Sequence, residues 1–378
     1  MNFALIIEWL IKSIVLVLLL LGGFAYLTLY ERKALARLQM RVGPNRAGPW
    51  GILQPIADAV KLIFKEELMP ARADKLLFFL APVVTLVPAL VITAVVPWGP
   101  TLHLFGRDFT LYIADINVGV LYIMSVASIA VYGIVLAGWS SNNKYAMMGG
   151  LRSTAQMISY EIALGLSFVG VILLAGSAQM TEIVTAQKSA WFVLLQPVGT
   201  VIFLIATLAE VNRAPFDMPE AEQELTAGYH TEYSGMKFAL LFMAEYDKMI
   251  AICSIGATLF FGGYREFWFL SNTIFSVDRT PWLGPIYIFV KIFALLFGMI
   301  WVRATFPRIR YDRLMAFGWK VLLPLSLALI FITASGILLK QSNSLFYYFG
   351  IPVVSLLVGV AAIVLLYRML RRKEYARA

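Results

Sequence analysis

An all-α, polytopic transmembrane helical bundle of about nine spans is the fold this sequence predicts, and three observations predict it. The chain is 60% hydrophobic and 14% charged over 378 residues, with a mean hydropathy of +0.79. That is more apolar sequence than a soluble core of this size can bury. Its apolar residues gather into runs long enough to cross a hydrocarbon layer of about 30 Å. The cations behind its formal charge of +9 sit in the short segments between those runs, as orientation determinants do, which argues against a nucleic-acid partner.

The first run covers residues 4–30. Glu8 and Lys12 stand where a cleaved signal would carry a basic region, and Arg32, Lys33, Arg37 and Arg41 follow the run. The N-terminus is therefore expected outside, and the next segment in the cytoplasm. That segment, 31–75, is long for a connection. Gly43-Pro44-Asn45 and Gly48-Pro49 mark turns, and 51–67 reads as an amphipathic helix. Ile52, Ile56, Val60 and Ile63 line one face, and Gln54, Asp58, Lys61 and Lys65 the other. Such a helix lies along the cytoplasmic interface, either as a plain anchor or with Asp58 turned toward a buried polar cavity.

Further spans are expected at 76–96, 117–139, 153–176, 191–211, 236–262, 283–303, 319–339 and 351–367. Threaded with the N-terminus outside, most Lys and Arg fall inside, and only Arg107, Lys188, Arg265, Arg279 and Lys340 fall outside. The C-terminus is then cytoplasmic. No internal repeat or separate soluble domain is visible, so 1–378 reads as one integral membrane domain.

Residues 209–235 concentrate acid: Glu210, Asp217, Glu220, Glu222, Glu224 and Glu232 stand against the single cation Arg213. A block of like charge is most often a hydrated surface loop. Here Pro215, Phe216, Met218, Leu225, Tyr229 and Tyr233 are interleaved with the acids, which a purely solvated loop does not need. Other ionisable residues lie inside the spans. A rise of about 1.5 Å per residue puts Glu161 and Glu245 on the order of 12 Å in from the cytoplasmic boundary, with Lys248 and Lys291 nearer mid-depth. Each costs roughly 2.5 to 3.5 kcal/mol at a helix centre, so these groups must face each other or water. Glu245 and Lys248, three apart, either pair structurally or belong to an ion route. Glu161, preceded by Tyr160, has no partner nearby in sequence. The pattern is a line of carboxylates leading from an acidic vestibule toward a lysine, which is half of a proton path.

Redox centres are not expected in this chain. Cys253 is the only cysteine, which leaves no disulfide, iron–sulfur or zinc site, and His103 and His230 both lie in connections rather than as a haem-binding pair. In Gly43-Pro-Asn-Arg-Ala-Gly48, Pro49 and Trp50 replace the Lys and Ser/Thr of a phosphate loop. No catalytic residue or metal ligand set stands out.

Six segments carry a resemblance: Glu31-Arg-Lys33 with Arg41-Val-Gly-Pro-Asn-Arg46, Gln54 to Lys61, Leu151 to Glu161, the acidic stretch, Met243-Ala-Glu-Tyr246, and Arg303 to Asp312. In this order and spacing, over essentially the whole chain, they resemble the H subunit of proton-pumping NADH:quinone oxidoreductase, respiratory complex I. The resemblance implies a non-redox-centre subunit of a translocase of the bacterial inner membrane. Its partners would be other membrane subunits and hydrophilic subunits carrying iron–sulfur clusters, with quinone as the shared substrate. It implies that Arg32, Arg41, Asp58, Arg213, Phe216, Asp217, Arg303 and Arg308 help wall a quinone chamber or its mouth. It implies that Tyr160, Glu161, Glu210, Glu220, Glu222, Glu224, Glu232 and Glu245, with Lys248 and Lys291, form the proton path. Two rival readings remain: an anchor subunit for another donor-specific complex, such as a membrane-bound hydrogenase, and a stand-alone transporter built on broken helices.

Overall fold

The computed structural model describes residues 3–104, 107–218, 227–267, 270, 273–340 and 346–375. Its helices are α1 (Phe3–Leu38), α2 (Gln54–Phe64), α3 (Lys75–Ile92), α4 (Gly119–Ser140), α5 (Lys144–Ala175), α6 (Met180–Ala186), α7 (Phe192–Leu195), α8 (Pro197–Glu210), α9 (Gly235–Phe260), α10 (Leu283–Thr305), α11 (Tyr311–Phe317), α12 (Leu323–Lys340) and α13 (Ile351–Tyr375). Among the described residues, seven helical stretches are long and apolar enough to cross a membrane. The two remaining expected spans, 191–211 and 236–262, correspond to the broken pair α7 and α8 and to α9, which carries buried charge. The protein is a multi-pass membrane bundle.

Local chemistry sets the boundaries. Asp74 caps α3 by accepting from the Leu76 and Leu77 amides at 3.1 and 3.3 Å. Asn143 caps α5 by accepting from the Tyr145 amide at 3.0 Å, and Gly176 ends that helix at φ 74°. The run at 191–211 is not one helix. Pro197 offers no amide and pushes Gln196 out of helical geometry, to φ −129°, so the chain breaks there and restarts as α8. The expected helix at 51–67 is shorter: a 3-10 turn at Pro49–Gly51 precedes α2, and Lys65 is extended. α11 and α12 are joined through a π-helical turn at Gly318–Leu322, lengthening the expected 319–339 span toward its N-terminus. The connection after α3 holds a small hairpin, β1 (Leu102–Leu104) antiparallel to β2 (Arg107–Phe109).

These connections define two ends of the bundle. At the α2 end, the Asp74 amide donates to the Ser140 carbonyl and the Ser234 hydroxyl to the Glu66 carbonyl. At the hairpin end, Lys12 of α1 donates to Thr110 at 2.9 Å. Helix α9 runs between the two ends and packs against α1, α2, α3, α6 and α10. From Ala244 to Phe260 every residue except Ile250 is buried. A helix enclosed on all faces belongs at the centre of a bundle, and here that central helix carries Glu245, Asp247 and Lys248.

Helices α3 and α4 meet through glycine. A Cβ on Gly133 would collide with Thr85 Oγ1 and lie 2.8 Å from the Thr85 amide nitrogen, so an added methyl must force the helices apart. Gly133→Ala is expected to destabilise the bundle by about 1–3 kcal/mol. Gly298→Ala on α10, where nothing lies within 4 Å, should be neutral. Thermal unfolding of the detergent-solubilised chain compares the two, and equal midpoints would remove this contact as a packing constraint.

Candidate functional site: buried charges around the central helix

Glu210 ends α8 at 2% exposure and accepts from Lys248 Nζ of α9 at 2.7 Å, with Lys248 itself 7% exposed. This pair lies between two small cavities, each of about 20 Å³. Thr85, Asn212, Tyr229, Glu210, Glu245 and Lys248 help line the first. The second is lined mostly by apolar residues of α4, α5, α8 and α9, with Glu210 and Lys248 at its edge. Each cavity has room for about one water molecule.

Glu245 does not pair with Lys248. Its Oε1 accepts from the Tyr229 hydroxyl at 2.9 Å and lies 3.3 Å from His230 Nε2. Lys248 points instead across the helix interface to Glu210. Glu161, on α5, accepts from the Ser128 hydroxyl of α4 and lies close enough to Glu210 to repel its charge. Glu210, Glu245 and Lys248 therefore meet around one cavity, with Glu161 beside them. Tyr160 is fully buried, donates to the Leu314 carbonyl at 3.0 Å, and packs its ring 5.6 Å from Phe216.

One side-chain amide gathers several groups at the segment around and after Glu210. Gln156 Nε2 donates to the Phe216 carbonyl at 2.7 Å, the Ala209 carbonyl at 2.9 Å and Asn212 Oδ1 at 3.3 Å. Asp217 is half-buried beside Phe216. Further along, Tyr233 donates to the Phe78 carbonyl at 3.3 Å, and its ring stacks on Phe78 at 4.1 Å. That carbonyl is open because Pro82, four residues on, has no N–H to fill it. Burial pushes the Tyr233 phenol up to about 12, partly offset by its hydrogen bond with Ser140. Glu232 accepts from Asn143 Nδ2 at 2.6 Å, away from the cavity. Glu220, Glu222 and Glu224 lie outside the described residues.

A second cluster forms where α1, α10 and the segment after α8 converge. Glu31, 3% exposed, is bridged by Arg303 and lies 3.6 Å from Arg213. The Arg213 guanidinium sits 4.2 Å over the Tyr246 ring of α9. Nearby in sequence, Arg32 pairs with Asp58 at 2.6 Å, and Gln54 donates to Asp58 at 3.1 Å. Asp58 thus faces Arg32 of α1 rather than an enclosed cavity. Arg41 and Arg308 are exposed, and Arg308 lies 3.9 Å from the Met218 sulfur.

Lys291 does not join the Glu210 set. Its Nζ donates to the Gly263 and Arg265 carbonyls at 2.8 and 2.6 Å and sits 4.4 Å over the Trp191 ring, just past the C-terminus of α9 at the hairpin end. A cation there complements the helix dipole.

Several residues at the site are not evident from sequence. Glu31 ends an apolar run and carries the second cluster. Tyr229 and His230 bond Glu245. Asp247 is fully buried, and neither of its oxygens has a hydrogen-bond partner among the described residues. Its position between Glu245 and Lys248 inside a span is the available signal. Among the described residues, no group of His, Cys, Asp and Glu could hold a metal ion.

The family described as NADH dehydrogenase matches residues 11–334. The chain is similar to proteins named as the H subunit of NADH-quinone oxidoreductase. One from Deinococcus deserti is 52% identical over 318 residues, covering 84% of this chain and 80% of the relative. One from Thermomicrobium roseum is 49% identical over 339 residues, covering 87% and 95%. The first of two such proteins from Geobacter metallireducens is 49% identical over 317 residues, covering 84% and 92%.

Proposed function

This chain belongs to the NADH dehydrogenase family, and from that premise we propose that it helps wall a quinone-binding chamber and couples quinone reduction to proton movement. The observation that carries this reading is the Glu210–Lys248 pair set between two cavities, with Glu245 on the wall of the first. The chamber lies at the α2 end, which is the cytoplasmic end of a subunit in the bacterial inner membrane. There it meets hydrophilic partner subunits carrying iron–sulfur clusters. The exposed apolar face of α2, with Ile56, Val60, Ile63 and Phe64, suits the approach of a lipid-soluble substrate along the membrane interface.

Quinone accepts the electrons in this scheme, and the residues of this chain respond to the charge that results. Arg213 and Arg303, both drawn to Glu31, lie at the segment that leads to the cavity. Charge appearing at the chamber alters the balance on Glu31, and through Arg213 it reaches Tyr246 and the neighbouring Glu245 of α9. Protonation of Glu245 removes its charge from the shared cavity and leaves Lys248 to Glu210 alone. Lys248, no longer supported by the Glu245 charge, passes a proton across its hydrogen bond to Glu210, leaving a neutral amine and a neutral carboxylic acid, and Glu210 hands that proton on toward Glu161.

Glu245→Gln and Glu210→Gln test the reading in the assembled complex reconstituted into liposomes. NADH-driven quinone reduction and proton uptake are expected to fall together by about tenfold. Wild-type pumping in both variants would remove these carboxylates from the mechanism.

A further inference from the structure

We propose that His230 is the proton inlet to Glu245 of the central helix, taking up protons at Nδ1 and handing them on from Nε2. This rests on the coupling reading above. The ring is 8% exposed, yet it lies in a turn rather than in a span. Its two nitrogens face different surroundings. Nε2 is 3.3 Å from Glu245 Oε1, while Nδ1 is buried with no hydrogen-bond partner among the described residues. A buried ring nitrogen without a partner is costly in a purely structural residue. In a relay it is the site that receives the proton.

The surroundings fix the ring. Tyr229 lies against it at a tilt of 35° with centroids 3.9 Å apart, and Phe238 meets it edge-on at 5.7 Å. The turn itself is wedged against α5, since a Cβ on Gly149 would lie 2.5 Å from Gly228 Cα. The charged groups on the elements packed around it are Lys144, Arg152 and Glu161 of α5, Lys237, Glu245, Asp247 and Lys248 of α9, and Glu232 in the same segment. Of these, Lys237 pairs with Glu67, Glu232 with Asn143, and Glu245 with the ring.

The step balances within the pair. Neutral His230 holds its proton on Nε2 and donates to ionised Glu245. A proton arriving at Nδ1 makes the imidazolium, which passes its Nε2 proton to Glu245. The products are a neutral carboxylic acid and an imidazole protonated on Nδ1. Discharge of Glu245 runs the same transfers backward and restores the first tautomer. Tyr229, donating to the same oxygen, keeps the carboxylate in place throughout.

His230→Gln tests this in the assembled, liposome-reconstituted complex. Glutamine keeps an amide donor near Glu245 and cannot take a proton. NADH-driven pumping should drop by about tenfold, with a larger solvent deuterium effect. The infrared carbonyl band of protonated Glu245, identified by its loss in Glu245→Gln, should rise more slowly during turnover. Wild-type pumping and band kinetics in His230→Gln, while Glu245→Gln is impaired, would overturn the inlet and leave the coupling reading standing. Wild-type behaviour of Glu245→Gln would remove the coupling reading itself. If His230→Gln does not assemble, His230→Asn is held to the same outcomes.

Discussion

Replacing Lys248 with Met is expected to destabilise the bundle by about 3–5 kcal/mol, because it leaves the Glu210 carboxylate buried without its counter-charge. Glu210 is 2% exposed, and its Oε2 already has no hydrogen-bond partner among the described residues. Little water reaches it to make good the loss. The double replacement Lys248→Met with Glu210→Met removes both charges and should recover most of the stability, since a buried pair exchanged for apolar side chains of similar volume is close to neutral. Recovery of assembly without recovery of pumping would separate the structural role of the pair from its role in coupling. The amount of assembled complex and its thermal unfolding midpoint measure both variants. A single variant as stable as the wild type would show that the pair is not a buried ion pair in the membrane.

The second large effect is expected from Glu31→Gln. This carboxylate is shared by Arg303 and Arg213, and it ties α1 to α10 and to the segment after α8. A neutral amide leaves two guanidiniums gathered at a site where Arg213 is 3% exposed. The cost is again on the order of 3–5 kcal/mol, felt where three parts of the chain converge. Arg32→Gln is the comparison. Its partnership with Asp58 is partly exposed, with side chains 47% and 26% accessible, so its loss should cost about 1 kcal/mol or less. Limited proteolysis within residues 209–235 and the yield of assembled complex read both variants. Equal behaviour of the two would mean that Glu31 is not the joint between these elements.

The helices are legible in the sequence because an apolar run and a transmembrane helix are nearly the same statement. Legibility ends where one residue decides geometry. Gln196-Pro197 lies inside an apolar run, so hydropathy alone joins what the missing amide divides. Lys291 is expected near mid-depth from its position along one helix, but that position does not say which neighbour its ammonium reaches. The structure gives it the carbonyls beyond α9. Glu245 and Lys248 are neighbours on one helix, and each finds its partner on another element, which spacing cannot reveal. His230 reads in sequence as a histidine in a connection, yet that connection folds back against α9 and buries the ring. Asp247 is visible as an acid inside a span but lies between two more conspicuous charges.

The enclosure of α9 restricts how a signal can travel through this protein. The stretch 244–260, walled in at every residue but Ile250, has no free stroke, so it cannot serve as a piston between the two faces of the membrane. What it can carry is electrical: side chains that change charge in place, inside an insulating sleeve of helices. Inhibition of such a device is better sought in compounds that pin a charge state than in wedges meant to jam a moving part.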